Sequence, residues 1–135
     1  MTQEKMYTIQ EISEKTGLSK YTLRYYEDIE LIDPVTRAAN GHRCYSESDY
    51  NRIIMLLRLR KTNMPLDEMK YFIGLYRQGG ETAGQRRDLL AEHRKVVEAQ
   101  IDELCQILEF IDYKIGLYEE EELHYEQQHE ISLTG

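Results

Sequence analysis

The chain is poor in the residues that mark secreted, disulfide-rich or membrane proteins. Its 135 residues include no tryptophan, two prolines and two cysteines, Cys44 and Cys105, which lie far apart and form no CxxC pair. The first residues lack the apolar core of a secretion signal, and no long uncharged apolar run follows. We therefore expect a cytoplasmic protein with reduced thiols and no membrane partner. Few prolines and 31% charged residues favour a mostly helical chain.

Charge is distributed unevenly along the sequence. The net charge is −8, but residues 1–62 carry ten Lys/Arg against nine Asp/Glu, a balance of +1. Residues 63–135 carry seven against sixteen, a balance of −9. Such a split would turn the N-terminal half toward a polyanion such as DNA. No acid pair, nucleophile constellation or phosphate-binding glycine loop is present, so we expect neither an enzyme nor a bound cofactor.

Two short helices around a tight turn are predicted near the N-terminus. Thr8 and Glu11 have the spacing of a capping box, which marks the start of a helix. Gly17 can end that helix in the left-handed conformation, and Ser19 is a suitable cap for the next one. Only two residues separate the helices, which is typical of a helix-turn-helix.

A small wing and two further helices are expected to follow. Residues 36–45 contain Asn40-Gly41, a dipeptide that favours a type I′ turn between two short strands. A third helix is predicted to run to Lys61. Pro65, a residue favoured in the first helical turn, is predicted to open a fourth helix that ends at a glycine pair.

From about residue 82, apolar residues recur every seven positions in two rows. The predicted seam consists of Leu90, Val97, Ile101, Leu104, Leu108, Ile111, Ile115 and Tyr118. Residues 82–118 would form a rod of roughly 55 Å at 1.5 Å per residue. Its apolar seam needs a partner, and the same helix of a second chain is the simplest one. Folding back on its own domain is the alternative, but the rod would overhang so small a domain.

The chain also contains a set of motifs in a fixed order. They read Y-T-I-x-E-I-S-x-x-T-G-L-S, T-L-R-Y-Y-E, L-I-D-P and N-G-x-R-x-Y-S-E-x-D. This set resembles the MerR family of bacterial transcription regulators, and the likeness continues to about residue 119. It implies a mainly α fold with a winged helix-turn-helix DNA-binding domain at residues 1–78. A linker and dimerisation helix would span 79–118, and 119–135 would be a short, flexible acidic tail.

The resemblance further implies how such a protein acts. Two long helices would form an antiparallel coiled coil in a homodimer with one DNA reader at each end. The dimer would bind a pseudo-palindromic site in double-stranded promoter DNA and distort its spacer so that RNA polymerase can engage it. An architectural DNA-binding protein of the excisionase type is the alternative, as is a coiled-coil protein that never contacts DNA. The long rod favours the regulator, because excisionase-like proteins are short.

The resemblance assigns DNA contacts to eight residues. They are Tyr21, Thr22, Arg24 and Tyr25 in the second helix, Arg37, Asn40 and Arg43 in the wing, and Lys61 at the end of the third helix. An arginine can bind guanine or phosphate with two nitrogens, whereas hydroxyls mostly fix register on the backbone. Arg43 is placed at the minor groove or its phosphates. Tyr26 and Tyr45 are assigned to packing.

The sequence identifies no inducing signal. Metal-sensing relatives need thiolates at the end of the dimerisation helix and beyond it, but no cysteine follows Cys105, and His124 and His129 are expected to be solvated. We therefore predict no metal site. The short chain is most similar to the aldehyde- and thiol-stress branch, whose third-helix cysteine is replaced here by Arg58. Cys44 remains as a candidate sensor of electrophiles, since an exposed thiol beside a cation is reactive. A small-molecule effector is the other option.

Overall fold

The structure, a computed structural model, describes residues 5–134 and the side chains of residues 5–130. In this part of the chain the elements are β1 Met6–Thr8, α1 Ile9–Thr16, α2 Lys20–Asp28, β2 Thr36–Arg37, β3 Arg43–Ser46, α3 Glu47–Lys61, α4 Leu66–Gln78, a 3-10 turn Gly80–Thr82 and α5 Ala83–Thr134. The chain divides into two compact units, Met1–His93 and Arg94–Gly135. This order confirms the predicted mainly α fold with a winged helix-turn-helix and a long last helix.

Local capping explains why the first two helices begin and end where they do. Thr8 Oγ1 accepts a hydrogen bond from the Glu11 amide, while a Glu11 carboxylate oxygen accepts one from the Thr8 amide, both at 3.1 Å. Gly17 ends α1 with a φ of 76°, which an L side chain rarely adopts. Ser19 Oγ then accepts from the Thr22 amide at 3.0 Å and caps α2. The predicted tight turn is confirmed.

The wing belongs to a three-stranded antiparallel sheet in the order β1-β3-β2. Tyr7 in β1 lies opposite Tyr45 in β3, and Thr36 in β2 lies opposite Cys44. The Tyr7 hydroxyl donates to Glu47 Oε2 at 2.7 Å, which raises the pKa of Tyr7 to about 12. Strand β1 was not predicted, because three residues are too few to display an alternating pattern.

The turn at the tip of the wing differs from the predicted type I′ turn. Gly41 has a φ of 84°, whereas Asn40 does not adopt positive φ, and a type I′ turn requires both. The Gly41 amide donates to Ala38 O and the Ala38 amide donates to His42 O, each at 2.8 Å. These bonds fit a type I turn followed by a glycine bulge, the usual form of a slightly longer hairpin loop.

The first unit is built around one apolar core. Its fully buried side chains come from both helices of the helix-turn-helix, the following loop, the wing, α3 and α4. They are Ile12, Leu23, Leu31, Ile32, Tyr45, Ile53, Leu56 and Ile73. Burial of this many large side chains is the main force that holds α2 and the wing in place.

The first unit extends into α5, beyond the predicted domain boundary at residue 78. Leu89 packs against the core, and the buried His93 has its Nε2 2.7 Å from Thr62 Oγ1 at the end of α3. The Thr82 hydroxyl, also buried, donates to Leu75 O at the end of α4. These contacts hold the first turns of α5 against the rest of the first unit.

An ionic cluster fixes the loop that follows α2. Asp33 accepts hydrogen bonds from Arg52 of α3 and Arg77 of α4, and Arg77 also donates to Glu30 O at 2.6 Å. The Arg52 guanidinium stacks 4.7 Å from the centre of the Tyr76 ring. The loop is therefore held against both helices by one carboxylate.

Removal of this carboxylate is expected to change the pH dependence of stability. The hydrogen bond from Arg52, supported by that from Arg77, lowers the pKa of Asp33 against the opposing effect of partial burial. A lowered folded-state pKa stabilises the fold above the unfolded value of about 3.9, and this contribution is lost as pH falls through the folded value. Because the side chain is 45% exposed, Asp33→Asn should cost only about 1 kcal/mol at pH 7.

Urea unfolding of both proteins at pH 7 and pH 3 measures this contribution. The stability difference between wild type and Asp33→Asn is expected to shrink at pH 3. An equal difference at the two pH values would show that the carboxylate charge has no part in the cluster. Glu68→Gln, at an exposed carboxylate in the first turn of α4, is the matched control.

Helix α5 continues through the segment predicted as a flexible tail. Residues 119–134 are helical in the structure rather than a separate irregular segment. Low apolar content alone does not prevent a helix here, because glutamates are good helix formers and no glycine or proline interrupts residues 117–134. Local pairs add to the helix, with His124 Nε2 3.0 Å from Gln128 Nε2 and the rings of Tyr125 and His129 stacked. Over the described residues, no helix is both long and apolar enough to cross a membrane.

Candidate nucleic-acid interface

Helix α2 has one buried and one exposed face. Leu23 and Tyr26 are buried at 0% and 3% exposure, whereas Tyr21 is 78% exposed and Tyr25 is 44% exposed. Arg24 lies on the same exposed face and forms no carboxylate ion pair with any residue in the described part of the chain. The fold therefore presents two phenols and a guanidinium on the surface of this helix, and their contact with DNA stays a prediction.

Thr22 has a more restricted position. It is half-buried, and its hydroxyl lies 2.9 Å from Ser19 Oγ in the cap of α2. The packing roles of Tyr26 and Tyr45 agree with their burial. The Tyr26 hydroxyl accepts a hydrogen bond from Arg60 Nη1 at 2.7 Å. Burial raises the pKa of Tyr45.

In the wing, Arg37 and Asn40 hold the turn. Arg37 Nη1 donates to Gly41 O at 2.9 Å, and Asn40 Oδ1 accepts from the His42 amide at 3.1 Å. Both side chains are exposed at the tip of the hairpin. They keep further hydrogen-bonding groups available while stabilising the loop conformation.

Arg43 is paired inside the unit rather than fully exposed. Its Nε donates to Glu27 Oε2 at 2.8 Å, and the two side chains are only 19% and 17% exposed. The hydrogen bond to Glu27 raises the pKa of Arg43. The other Glu27 oxygen accepts from the Val35 amide at 3.2 Å. The minor-groove role of Arg43 stays a prediction, and the geometry favours a positioning role that fixes the wing against α2.

A second pair of cations lies at the end of α3. Lys61 is exposed and lines a groove of about 540 Å³ together with Gly17 and Leu18 of the helix-turn-helix. Arg60 lines this groove as well as a cavity of about 440 Å³ that it shares with Tyr21 and other residues of α2. The family resemblance assigns no role to Arg60. No local signal could have done so, because the contact joins residues 34 positions apart.

The cations of the first unit differ in whether they are already paired with a carboxylate. Four arginines form ion pairs with carboxylates of this unit, namely Arg43, Arg52, Arg77 and Arg87. Arg24, Arg60 and Lys61 are among the exposed cations that form no ion pair with the carboxylates that the structure describes. These three cations are available to a phosphate backbone without loss of a protein ion pair.

The sensor candidates are placed as follows. Cys44 is a half-buried free thiol on β3, between Thr8 and Thr36 in register, and the neighbouring Arg43 is already paired with Glu27. Cys105 is free and exposed on α5. Within residues 5–130, no three His, Cys, Asp or Glu side chains converge as a metal site would require.

The predicted dimerisation seam is open to solvent in the single chain. From Ile101 onward, the exposure of the seam residues ranges from 44% at Ile111 to 62% at Tyr118, with Leu104 at 61%. Val97 is half-buried, and Leu90, in the first unit, is 38% exposed. Large apolar side chains repeated along an exposed helix mark an interaction surface. The seam therefore stays a prediction that the exposure favours.

Known proteins resemble this chain along most of its length. The family model described as MerR HTH family regulatory protein matches residues 7–73, and the model described as MerR, DNA binding matches residues 50–112. An uncharacterized HTH-type transcriptional regulator of Haemophilus influenzae is 34% identical over 113 residues, covering 84% of each chain. The chain belongs to the MerR family. Its predicted identity as a DNA-binding transcription regulator, and not an enzyme, is thereby confirmed.

Solved structures of MerR proteins share its fold. HiNmlR, described as a MerR family regulator lacking the sensor domain and bound to promoter DNA, is 33% identical with a TM-score of 0.80. That match covers 85% of this chain and 87% of HiNmlR. A putative MerR family regulator from Listeria monocytogenes, also 33% identical, has a TM-score of 0.75 over 84% and 86% of the two chains.

Proposed function

We propose that this MerR regulator binds a pseudo-palindromic promoter site as a homodimer and distorts the spacer so that RNA polymerase can engage the promoter. The observation that carries the proposal is the exposed face of α2, where Tyr21, Arg24 and Tyr25 lie outside the core and Arg24 forms no ion pair with the carboxylates that the structure describes. A helix of this kind fits the major groove of B-DNA.

Neighbouring elements support the same contact. The Glu27–Arg43 ion pair joins the wing to the last turn of α2, so that the wing and α2 would present one surface to DNA. Arg60 and Lys61 add two exposed positive charges at the end of α3. Phosphate contacts of this sort fix the register of a protein on the duplex, and the base contacts of α2 would supply sequence preference.

The homodimer is supported by the exposed seam of α5. Single helices with repeated exposed leucine and isoleucine are unfavourable in water, and pairing with a second copy removes this apolar surface. The antiparallel arrangement comes from the family resemblance. Membership of a family of transcription regulators also decides against the excisionase-type alternative.

An arginine substitution in α2 tests the proposed reader. Arg24→Ala is expected to weaken binding to the promoter region beside the gene by more than about tenfold, or 1.4 kcal/mol, because a bidentate base or phosphate contact is lost. Fluorescence anisotropy with a labelled duplex at fixed salt measures the change.

The matched control removes the same charge elsewhere in the first unit. Lys15 stacks on the rings of Tyr7 and Tyr50, so Lys15→Ala should change affinity less than about threefold. Equal losses in the two variants would mean that only overall charge matters. Unchanged affinity in Arg24→Ala would remove α2 as the reader.

A further inference from the structure

We infer that the cavity between α2 and the α3–α4 connection binds a small aromatic carboxylate, and that this ligand competes with DNA. The cavity measures about 440 Å³, within the range of about 300–1,000 Å³ typical of small-molecule sites. It is called the α2–α4 cavity below. Tyr21, Thr22 and Tyr25 of α2 form one side, and Met64, Leu66 and Met69 contribute to the other.

The apolar side of the α2–α4 cavity suits an aromatic ring. Met64 and Met69 are 4% and 2% exposed, so their side chains are fixed in the core and present a limited surface to the cavity. Thioethers pack favourably against ring edges, and the tyrosine rings across the cavity allow offset stacking. A phosphate group gains nothing from this surface, which therefore points to a ligand with an apolar body.

One charged group faces the same space. Arg60 Nη1 donates to the Tyr26 hydroxyl at 2.7 Å, which orients the guanidinium at the cavity wall. Among residues 5–130 no carboxylate forms an ion pair with Arg60. A guanidinium has five N–H donors, so several are left for a carboxylate. The combination of aromatic rings, thioethers and one uncompensated cation selects an aromatic carboxylate over a neutral aromatic molecule.

Occupation of the cavity has a regulatory consequence. Tyr21, Thr22 and Tyr25 line the cavity and also belong to the surface proposed to bind DNA. Ligand and DNA would therefore exclude one another, and each would lower the affinity of the other by the same factor. This consequence rests on the proposed DNA-binding function, whereas ligand binding itself does not.

Methionine methyl signals report directly on the cavity. In the full chain labelled with ¹³C-methyl methionine, titration with sodium benzoate should shift the Met64 and Met69 signals along a saturable curve. Met55 is half-buried in the same unit but does not line the cavity, so its signal should not move. The expected dissociation constant is on the order of 1 mM or lower. No saturable shift at Met64 and Met69, or an equal shift at Met55, would overturn the site.

A neutral probe and two variants test the role of Arg60. Benzyl alcohol, which has the same ring without the charge, should bind at least about tenfold more weakly than benzoate. Arg60→Gln, which keeps a donor for the Tyr26 hydroxyl, should lose the same factor, while Lys61→Gln should bind benzoate as wild type does. Equal binding of the two probes, or equal losses of benzoate affinity in both variants, would overturn the charged contact.

A third variant, Tyr21→Ala, tests the site independently of Arg60. Because Tyr21 is 78% exposed, its replacement should weaken benzoate binding severalfold even if Arg60→Gln misfolds. Unchanged benzoate binding in Tyr21→Ala would overturn the site.

Competition is measured with the promoter duplex at constant ionic strength, with sodium chloride replacing benzoate in the reference. Saturating benzoate should reduce promoter affinity at least about tenfold in wild type and not in Arg60→Gln at the same concentration. Unchanged benzoate shifts at Met64 and Met69 in the DNA complex would overturn competition. Loss of DNA binding in all samples with intact benzoate binding would instead contradict the proposed function and its regulatory consequence, leaving the ligand site in place.

Discussion

Replacing Leu104 and Ile111 together with aspartate is expected to yield monomers and to weaken promoter binding at least about a hundredfold. The two side chains are 61% and 44% exposed in the single chain, so the substitutions should leave each chain folded. In a dimer they would place carboxylates inside an apolar seam, at a cost of several kcal/mol each. A monomer then loses the gain in affinity that linking two readers provides, about 10²–10⁴. Sedimentation equilibrium and anisotropy titration measure the two effects.

The matched control places an aspartate on the opposite face of the same helix. Tyr113 is 63% exposed and lies about two and a half helical turns after Leu104, which places it on the opposite face, so Tyr113→Asp should leave the dimer and its promoter affinity intact. A Leu104→Asp/Ile111→Asp protein that still sediments as a dimer would mean that the seam is misassigned. Dissociation by Tyr113→Asp would show that a wider surface of α5 holds the subunits together.

The second large effect concerns the Glu27–Arg43 ion pair. Arg43→Ala and Glu27→Ala are each expected to weaken promoter binding more than about tenfold, because either change releases the wing from α2. The double variant should be no weaker than Glu27→Ala, which removes the ion pair and also the hydrogen bond from the Val35 amide. Removal of a carboxylate near DNA would by itself strengthen binding. A lower promoter affinity of Glu27→Ala would therefore show that Glu27 acts by positioning the wing.

A different outcome would support the direct DNA contact that the family resemblance implies for Arg43. If Arg43→Ala loses affinity while Glu27→Ala binds as wild type or more tightly, Arg43 contacts DNA itself. Arg37→Ala is a control for charge in the same hairpin, because its guanidinium donates to Gly41 O rather than to a carboxylate. Stoichiometric titrations give the active fraction of each variant. Affinities are calculated for that fraction, so that partial unfolding is not counted as weak binding.

Features that depend on near neighbours in sequence were predictable. The caps at Thr8 and Ser19 form within three residues, and Gly17 ends α1 through its own backbone conformation. The predicted type of the wing turn was wrong. The dipeptide Asn40-Gly41 permits more than one loop length, and the ends of the two strands decide which length is used.

Features that join distant residues were not predictable. Strand β1 is recognised only by its pairing with β3, and the contact between Tyr26 and Arg60 spans 34 positions. Likewise, nothing in the sequence indicates the ion pair between Arg43 and Glu27, which lie 16 positions apart. The DNA contact that the resemblance implies for Arg43 stays a prediction.

The proposed function requires two copies of this chain on one promoter site. Sedimentation velocity of the full chain with a labelled promoter duplex, at about 0.15 M salt, measures the stoichiometry directly. We expect two wild-type chains per duplex at saturation, without a stable complex of one chain. The Leu104→Asp/Ile111→Asp variant should bind as a single chain per duplex when the protein is concentrated enough to bind. One wild-type chain per duplex, or no complex at all, would rule out binding as a dimer.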